Sequence, residues 1–260
     1  MGSFVEDGIQ LLAERIEELN VLLEEADKYV VSQQKLYSAL CRSIQVLSVS
    51  HFEGYLKDLV KNILDDINAN SDFKNSSNDL KFTYCKKFIT PLATGKLNHA
   101  KIVELIAVLE NLETKFDANS FYQSNKNPKE SIINNIAENF GEDKLFFKLN
   151  NSDLSAVFSN TDPENILLRD FLRVKLLSSV EVYPYIQDDS ILNVDQTSLA
   201  KDKFWEIFIQ AILADRHKIA HGSMINSVSH TSIASNIVKI EILLLSITYL
   251  LSLRGNPVVL

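Results

Sequence analysis

The sequence predicts an all-α fold built as a bundle of long helices. Apolar residues recur at alternating spacings of three and four over tens of positions, the signature of helices with one buried face. Only 7 Gly and 5 Pro interrupt 260 residues, too few for a turn-rich β architecture. No strand-like alternation lasts long enough to build a sheet, and Glu181 to Tyr185 is expected at most to pair briefly.

The first helix is expected over about residues 5–30. Ile9, Leu12, Ile16, Leu19, Leu23, Ala26 and Val30 form a heptad seam, read as a bundle helix packing on its own core rather than an intermolecular coiled coil. A second long helix follows over about 32–69, with Val46, Val49, Glu53, Leu56, Val60, Ile63 and Ile67 as its stripe. Glu53 falls in the middle of that apolar face. A carboxylate there needs a cation, hydrogen-bond donors or a proton, and Arg216 is the natural partner.

From about 70 to 160 the pattern loosens. Residues 68–71 and 75–78 read as turn or loop. One helix is expected near 98–116, a loop at 120–128 and a short helix at 130–140. Lys81, Lys86, Lys87, Lys96 and Lys101 give the segment a basic start, read mainly as a solvated face, with phosphate tracking as the alternative. The chain is thus read as one domain, residues 1–260, with a bundle core at about 5–70 and 161–254 and a helical and loop insertion at about 71–160.

The next helix opens at Thr161-Asp162-Pro163-Glu164, with Asp162 as N-cap and Pro163 in the first helical position. Ile166, Leu167, Phe171, Val174 and Leu177 are expected to be buried. A linker through Tyr183, Pro184 and Tyr185 leads to a helix at about 199–214, carrying Phe204, Trp205, Phe208, Ile212 and Leu213. A nearly all-apolar helix at about 231–253 closes the chain.

Composition excludes several classes. Cys41 and Cys85 have no metal-ligand spacing and are expected to stay reduced. Met1 leads straight into an acidic helix without a basic, then apolar, leader. The most apolar run, Ile242 to Leu253, is too short to span a bilayer. A cytoplasmic protein without a membrane role is expected. The net charge of −8 is concentrated in residues 1–28, which hold eight acids against Arg15 and Lys28. A basic groove elsewhere therefore remains compatible with the total.

The chemistry is concentrated in Asp215-Arg216-His217-Lys218-Ile219-Ala220-His221-Gly222. Two of the chain's 5 histidines lie here, four positions apart. Three readings stay open. His217 and His221 would share a helix face, as in H-E-x-x-H metal sites, but Lys218 stands where the Glu would be, no Cys lies near, and His230 is a weak third ligand. In metal-free RNA cleavage, a histidine would move the 2′-hydroxyl or leaving-group proton while an arginine grips the phosphate. Arg216 and His221 lie about 140° apart on an ideal helix, so the backbone must bend or the Arg must reach around, and Gly222 permits a break just after His221. In the structural reading, Arg216 neutralises Glu53 and the histidines cap helix ends.

Arg216-x4-His221, with His217 directly after the Arg and Gly222 directly after the His, resembles the R-x4–6-H signature of HEPN-domain ribonucleases. The upstream run Val49-Ser50-His51-Phe52-Glu53-Gly54-Tyr55-Leu56-Lys57 is similar to the S-h-F-E-x-Y-L segment of bacterial RiboL-PSP-type HEPN proteins. The resemblance covers roughly 30–70 and 199–254. It implies a HEPN-type bundle that dimerises with two motifs facing, and a metal-independent endoribonuclease leaving a 2′,3′-cyclic phosphate. Such proteins often serve as toxins in toxin–antitoxin or anti-phage systems, so RNA, a second copy of the chain and an antitoxin or other defence protein are the implied partners, and no cofactor is implied. By position Arg216 and His221 become the catalytic pair, His217 the polar residue after the Arg, and Glu53 the acid that orients Arg216. Lys57 and Lys218, beside these positions, are assigned to substrate. Some HEPN domains have lost activity and bind only nucleotides or protein partners, which is the alternative function.

Overall fold

The computed structural model describes residues 2–91, 96–122, 127–195, 202–222 and 228–258. Helix α1 (Phe4–Asp27) starts at Ser3, whose hydroxyl accepts from the Glu6 N–H at 2.9 Å and donates to the Val180 carbonyl. Ile9, Leu12, Ile16, Leu19, Leu23 and Ala26 are all buried against α2 (Gln34–Asn70), so the heptad seam is intramolecular. Gly8 lies where the two helices cross, and a Cβ there would come within 2.4 Å of Asn62 Nδ2.

The buried face of α2 runs through Cys41, Ile44, Phe52, Tyr55, Leu56, Leu59, Val60, Ile63 and Ile67. Glu53, expected in the middle of it, is only half-buried. It stands 100° round the helix from Phe52, at the edge of the stripe.

The middle of the chain holds more helix than expected. Helix α3 (Asn78–Lys86), which the sequence reading missed, is capped by Ser77, whose hydroxyl accepts from Leu80 N–H. It is followed by α4 (His99–Leu109), a 3-10 turn at Ala118–Ser120, α5 (Glu130–Asn139), α6 (Leu145–Asn150) and a second 3-10 segment at Asp153–Phe158. The expected loop at 120–128 falls partly on 123–126, outside the described residues. Lys81 does not sit on a solvated face. It is buried, with its ammonium donating to Glu110 and to the Lys74 carbonyl at 2.7 Å each.

Helix α7 (Asp162–Val180) begins one residue earlier than expected. Thr161 is the N-cap in a reciprocal capping box with Glu164. Its buried face is also different: Leu172, Leu176 and Val180 are inside, whereas Leu167 and Val174 are 70% and 68% exposed. The rotation has a cause in the last helix. Glu241 is fully buried there, and α7 turns Arg173 and Arg169 toward it, with Arg173 Nε at 3.0 Å and Arg169 Nε at 3.8 Å. A buried carboxylate without those cations would cost far more than leaving two aliphatic side chains in water.

The linker carries a cis Tyr183–Pro184 bond and makes no strand. Tyr185 instead donates its hydroxyl to Asp66 at 2.8 Å, beside the N–H groups of Phe4 and Val5 on the same buried carboxylate. The expected start of the next helix, 199–201, lies outside the described residues. Helix α8 (Phe204–Ala220) runs six residues beyond the expected end, and α9 (His230–Gly255) completes the chain. α9 is long and apolar enough to cross a membrane by length and composition alone, but 78% of its most apolar stretch is buried among the other helices. Among the described residues there are no β-strands, only the isolated bridge between Ser152 and Val194.

Candidate functional site

The motif sits at the C-terminal end of α8. The opposite end anchors that helix: Trp205, Phe208, Ile209 and Ile212 are buried, and the Phe158 ring lies 4.9 Å from that of Trp205. Asn150 holds Glu206 at 2.7 Å, and Glu130 accepts from Gln210 at 3.0 Å. Toward the other end Asp215 accepts from Gln45 of α2 at 3.4 Å. A firmly packed root thus projects a polar tip.

Arg216, His217 and Lys218 lie within the helix, not after it. The His221 N–H still bonds the His217 carbonyl at 3.0 Å, and the chain leaves the helix only at Gly222, with φ +70°. That left-handed conformation is strained for any residue with a Cβ, so Gly222 fixes the end of the rod directly after His221. Of the two expectations, a bent backbone or an Arg that reaches around, the bend is absent between Arg216 and His221.

The consequence is a division of the motif between two sides. His217 and His221, one turn apart, bring their rings to 4.2 Å between centroids at an interplanar angle of 56°. Both are exposed. Arg216 is half-buried, and its Nε is sealed from solvent without a hydrogen-bond partner among the described residues. Lys218 is exposed and reaches Asp215 at 3.4 Å.

Glu53 does not pair with Arg216: among the described residues it has no ion-pair partner. Its charge is felt at Tyr122, where burial and then the Glu53 carboxylate push the phenol up from its ordinary value. Lys57, one turn further along α2, is exposed and has no ion-pair partner among the described residues. His230, the weak third ligand of the metal reading, is used elsewhere. Its Nδ1 lies 3.3 Å from the Tyr37 hydroxyl and its Nε2 3.2 Å from Asp27, latching the start of α9 to α1 and α2. Among the described residues no three His, Cys, Asp or Glu side chains converge as metal ligands.

Two features escaped the sequence reading. Ala39, Ser43, Val46 and Ser50 of α2 form an open groove of about 570 Å³ with Ile219 of α8. Their spacing is visible in the sequence, but the arrival of Ile219 against them is a tertiary fact. The second is a pocket where the Ala118–Ser120 turn meets α2 beside Lys57, and no local pattern announces it.

No curated protein and no solved structure matches the chain. The family model RiboL-PSP-HEPN matches residues 10–252, a span that includes both α2 and the motif on α8. Fold, motif and match agree: the chain belongs to the HEPN proteins of the RiboL-PSP type.

Proposed function

We propose that the protein is a metal-independent endoribonuclease in which Arg216 and His221 act on the scissile phosphate and leave a 2′,3′-cyclic phosphate. Membership of a family associated with ribonuclease-type or nucleotide-related function supports the class. The observation that carries the chemistry is the exposed imidazole pair at the tip of α8, one and five residues after Arg216, whose Nε has no hydrogen-bond partner among the described residues. One imidazole takes the proton from the 2′-hydroxyl, another protonates the 5′-oxygen as it leaves, and neither step needs a metal. The guanidinium offsets the charge that builds up on the phosphate.

A straight α8 sets Arg216 and His221 about 140° apart, and one chain on its own offers them to different sides. A second copy, docked across the groove between α2 and Ile219, would set the imidazole of one chain against the guanidinium of the other. The proposed enzyme is therefore a homodimer with a composite site. Lys218 and Lys57 supply positive charge to the RNA backbone, and Glu53 is an acceptor available to a sugar hydroxyl. A role as toxin or anti-phage effector held silent by a partner protein follows the family pattern.

The test is cleavage of total RNA by the purified protein in EDTA, wild type beside His221→Ala. Cyclic-phosphate ends from wild type alone support the reading. Equal cleavage by both sinks it. A folded protein that binds RNA or nucleotide without cutting would favour the non-catalytic alternative.

A further inference from the structure

One outward face of α2 joins the motif to a second feature. Ser43, Val46 and Ser50 line the groove against Ile219, and Lys57 and Lys61 line the pocket at the Ala118–Ser120 turn. Ser50 and Lys57 are seven residues apart, nearly in line on the helix and about 10 Å along it. The tip of α8 and the pocket thus open onto the same side of the same rod.

The pocket holds about 400 Å³, at the lower end of the range for small-molecule sites. Phe116 and Tyr122 give it aromatic walls, Ala118 also lines it, and the exposed Asn119 places at the rim an amide whose Nδ2 donates to Asp117 at 3.0 Å. The walls are rigid. Phe116 packs within an aromatic cluster, 5.1 Å from Phe73 and 5.5 Å from Tyr84. Its backbone is clamped to Asn68 of α2 by two hydrogen bonds, 2.8 and 2.9 Å.

The charges at the rim favour one kind of ligand. Each lining carboxylate has a cation: Asp58 has Arg15 at 2.8 Å, Asp65 has Lys61 at 2.6 Å, and Asp117 has Lys87 at 3.7 Å. Among the lining residues Lys57 alone brings a charge that no described ion pair offsets, and Glu53, one turn back on α2, lies outside the lining on the Tyr122 side. An apolar, aromatic cavity with an amide at its lip and one uncommitted ammonium beside it suits a flat heterocycle attached to a phosphate.

We infer that this pocket receives an unpaired base of the RNA strand, with Lys57 on the adjoining phosphate, while the strand runs along α2 to the tip of α8. Aromatic side chains and amides are the usual means of holding a splayed-out base. The inference rests on the ribonuclease reading and names where substrate selection takes place: the base in the pocket, about two turns of α2 from the groove beside Ile219, sets which sites are cleaved.

The test separates the two. Short 2′-O-methyl oligoribonucleotides lack the attacking hydroxyl, so their binding is measured without cleavage. Titrated into the full-length protein, they should shift the backbone amide NMR signals of 57–61 and 116–122. Lys57→Glu should weaken binding at least about tenfold at low salt, and Ala118→Trp, which fills the cavity, should abolish the shifts at 116–122. Lys57 is exposed, so the first variant is expected to fold even if the second does not. Oligonucleotides that leave these amides unmoved, or bind Lys57→Glu within about twofold of wild type, overturn the inference, and a protein side chain becomes the better occupant. His221-dependent cleavage with unmoved amides would remove the pocket alone. Moved amides without any cleavage would remove the ribonuclease and keep the pocket.

Discussion

The imidazoles of His217 and His221 lie 4.2 Å apart on one face of α8, while Arg216 turns its Nε into the protein. Helical geometry, not a bent loop, decides this. A site that needs all three groups at one phosphate therefore has to be completed by something outside α8.

Complementation between inactive chains measures that directly. Arg216→Ala and His221→Ala should each lower cleavage at least about 100-fold. Mixed in equal amounts and allowed to exchange, they should recover about a quarter of wild-type activity, because half the dimers hold one intact site. No recovery from exchanged chains would show that both groups act within one chain.

Arg216→Lys keeps the charge but loses the planar fork of donors. It should lower kcat about tenfold or more while leaving the melting temperature nearly unchanged. A kcat near wild type would reduce the role of Arg216 to simple charge.

Arg173→Ala should destabilise the fold by about 3–5 kcal/mol, since it leaves Glu241 buried with only the more distant Arg169. Leu167→Ser and Val174→Ser, on the outer face of α7, should change stability by less than about 0.5 kcal/mol. Urea denaturation compares the three.

Two buried carboxylates should bend the pH profile of stability in opposite directions. Burial holds Asp66 above its ordinary value of 3.8, against the N–H groups of Phe4 and Val5 and the Tyr185 hydroxyl. Its folded pKa is raised, so its contribution is fully present below 3.8 and is lost as the pH rises through the raised value. Burial opposes the shift of Glu142, yet Lys148 and Arg254 outweigh it and hold that carboxyl below 4.5. Its contribution is present above 4.5 and is lost as the pH falls through the lowered value. In urea melts from acid to neutral pH, Glu142→Gln should flatten the acid loss of stability and Asp66→Asn should steepen it. Parallel curves for both variants would contradict the assignment.

What the sequence made legible was the periodic part. The α1 seam and the run of α2 follow from three-four spacing, α9 follows from its nearly all-apolar run, and Gly222 marks the end of the motif. What it hid depends on distant residues. The face of α7 cannot be read from Ile166 to Leu177, because Glu241 on another helix turns it. Lys81 looks solvent-bound until Glu110 and the Lys74 carbonyl are seen to enclose it. Glu53 reads as the partner of Arg216 because it falls within the apolar stripe of α2 and needs a cation there. A single step round α2 from Phe52 takes it to the half-buried edge of the stripe.

The uninterrupted run of α8 to Ala220 has a consequence for dosage. If each chain holds half of the machinery, the active species scales with the square of chain concentration whenever pairing is incomplete. A few stray copies would be harmless and a burst of synthesis would not. A threshold of that kind would arise from the straightness of one helix, before any inhibitor is added.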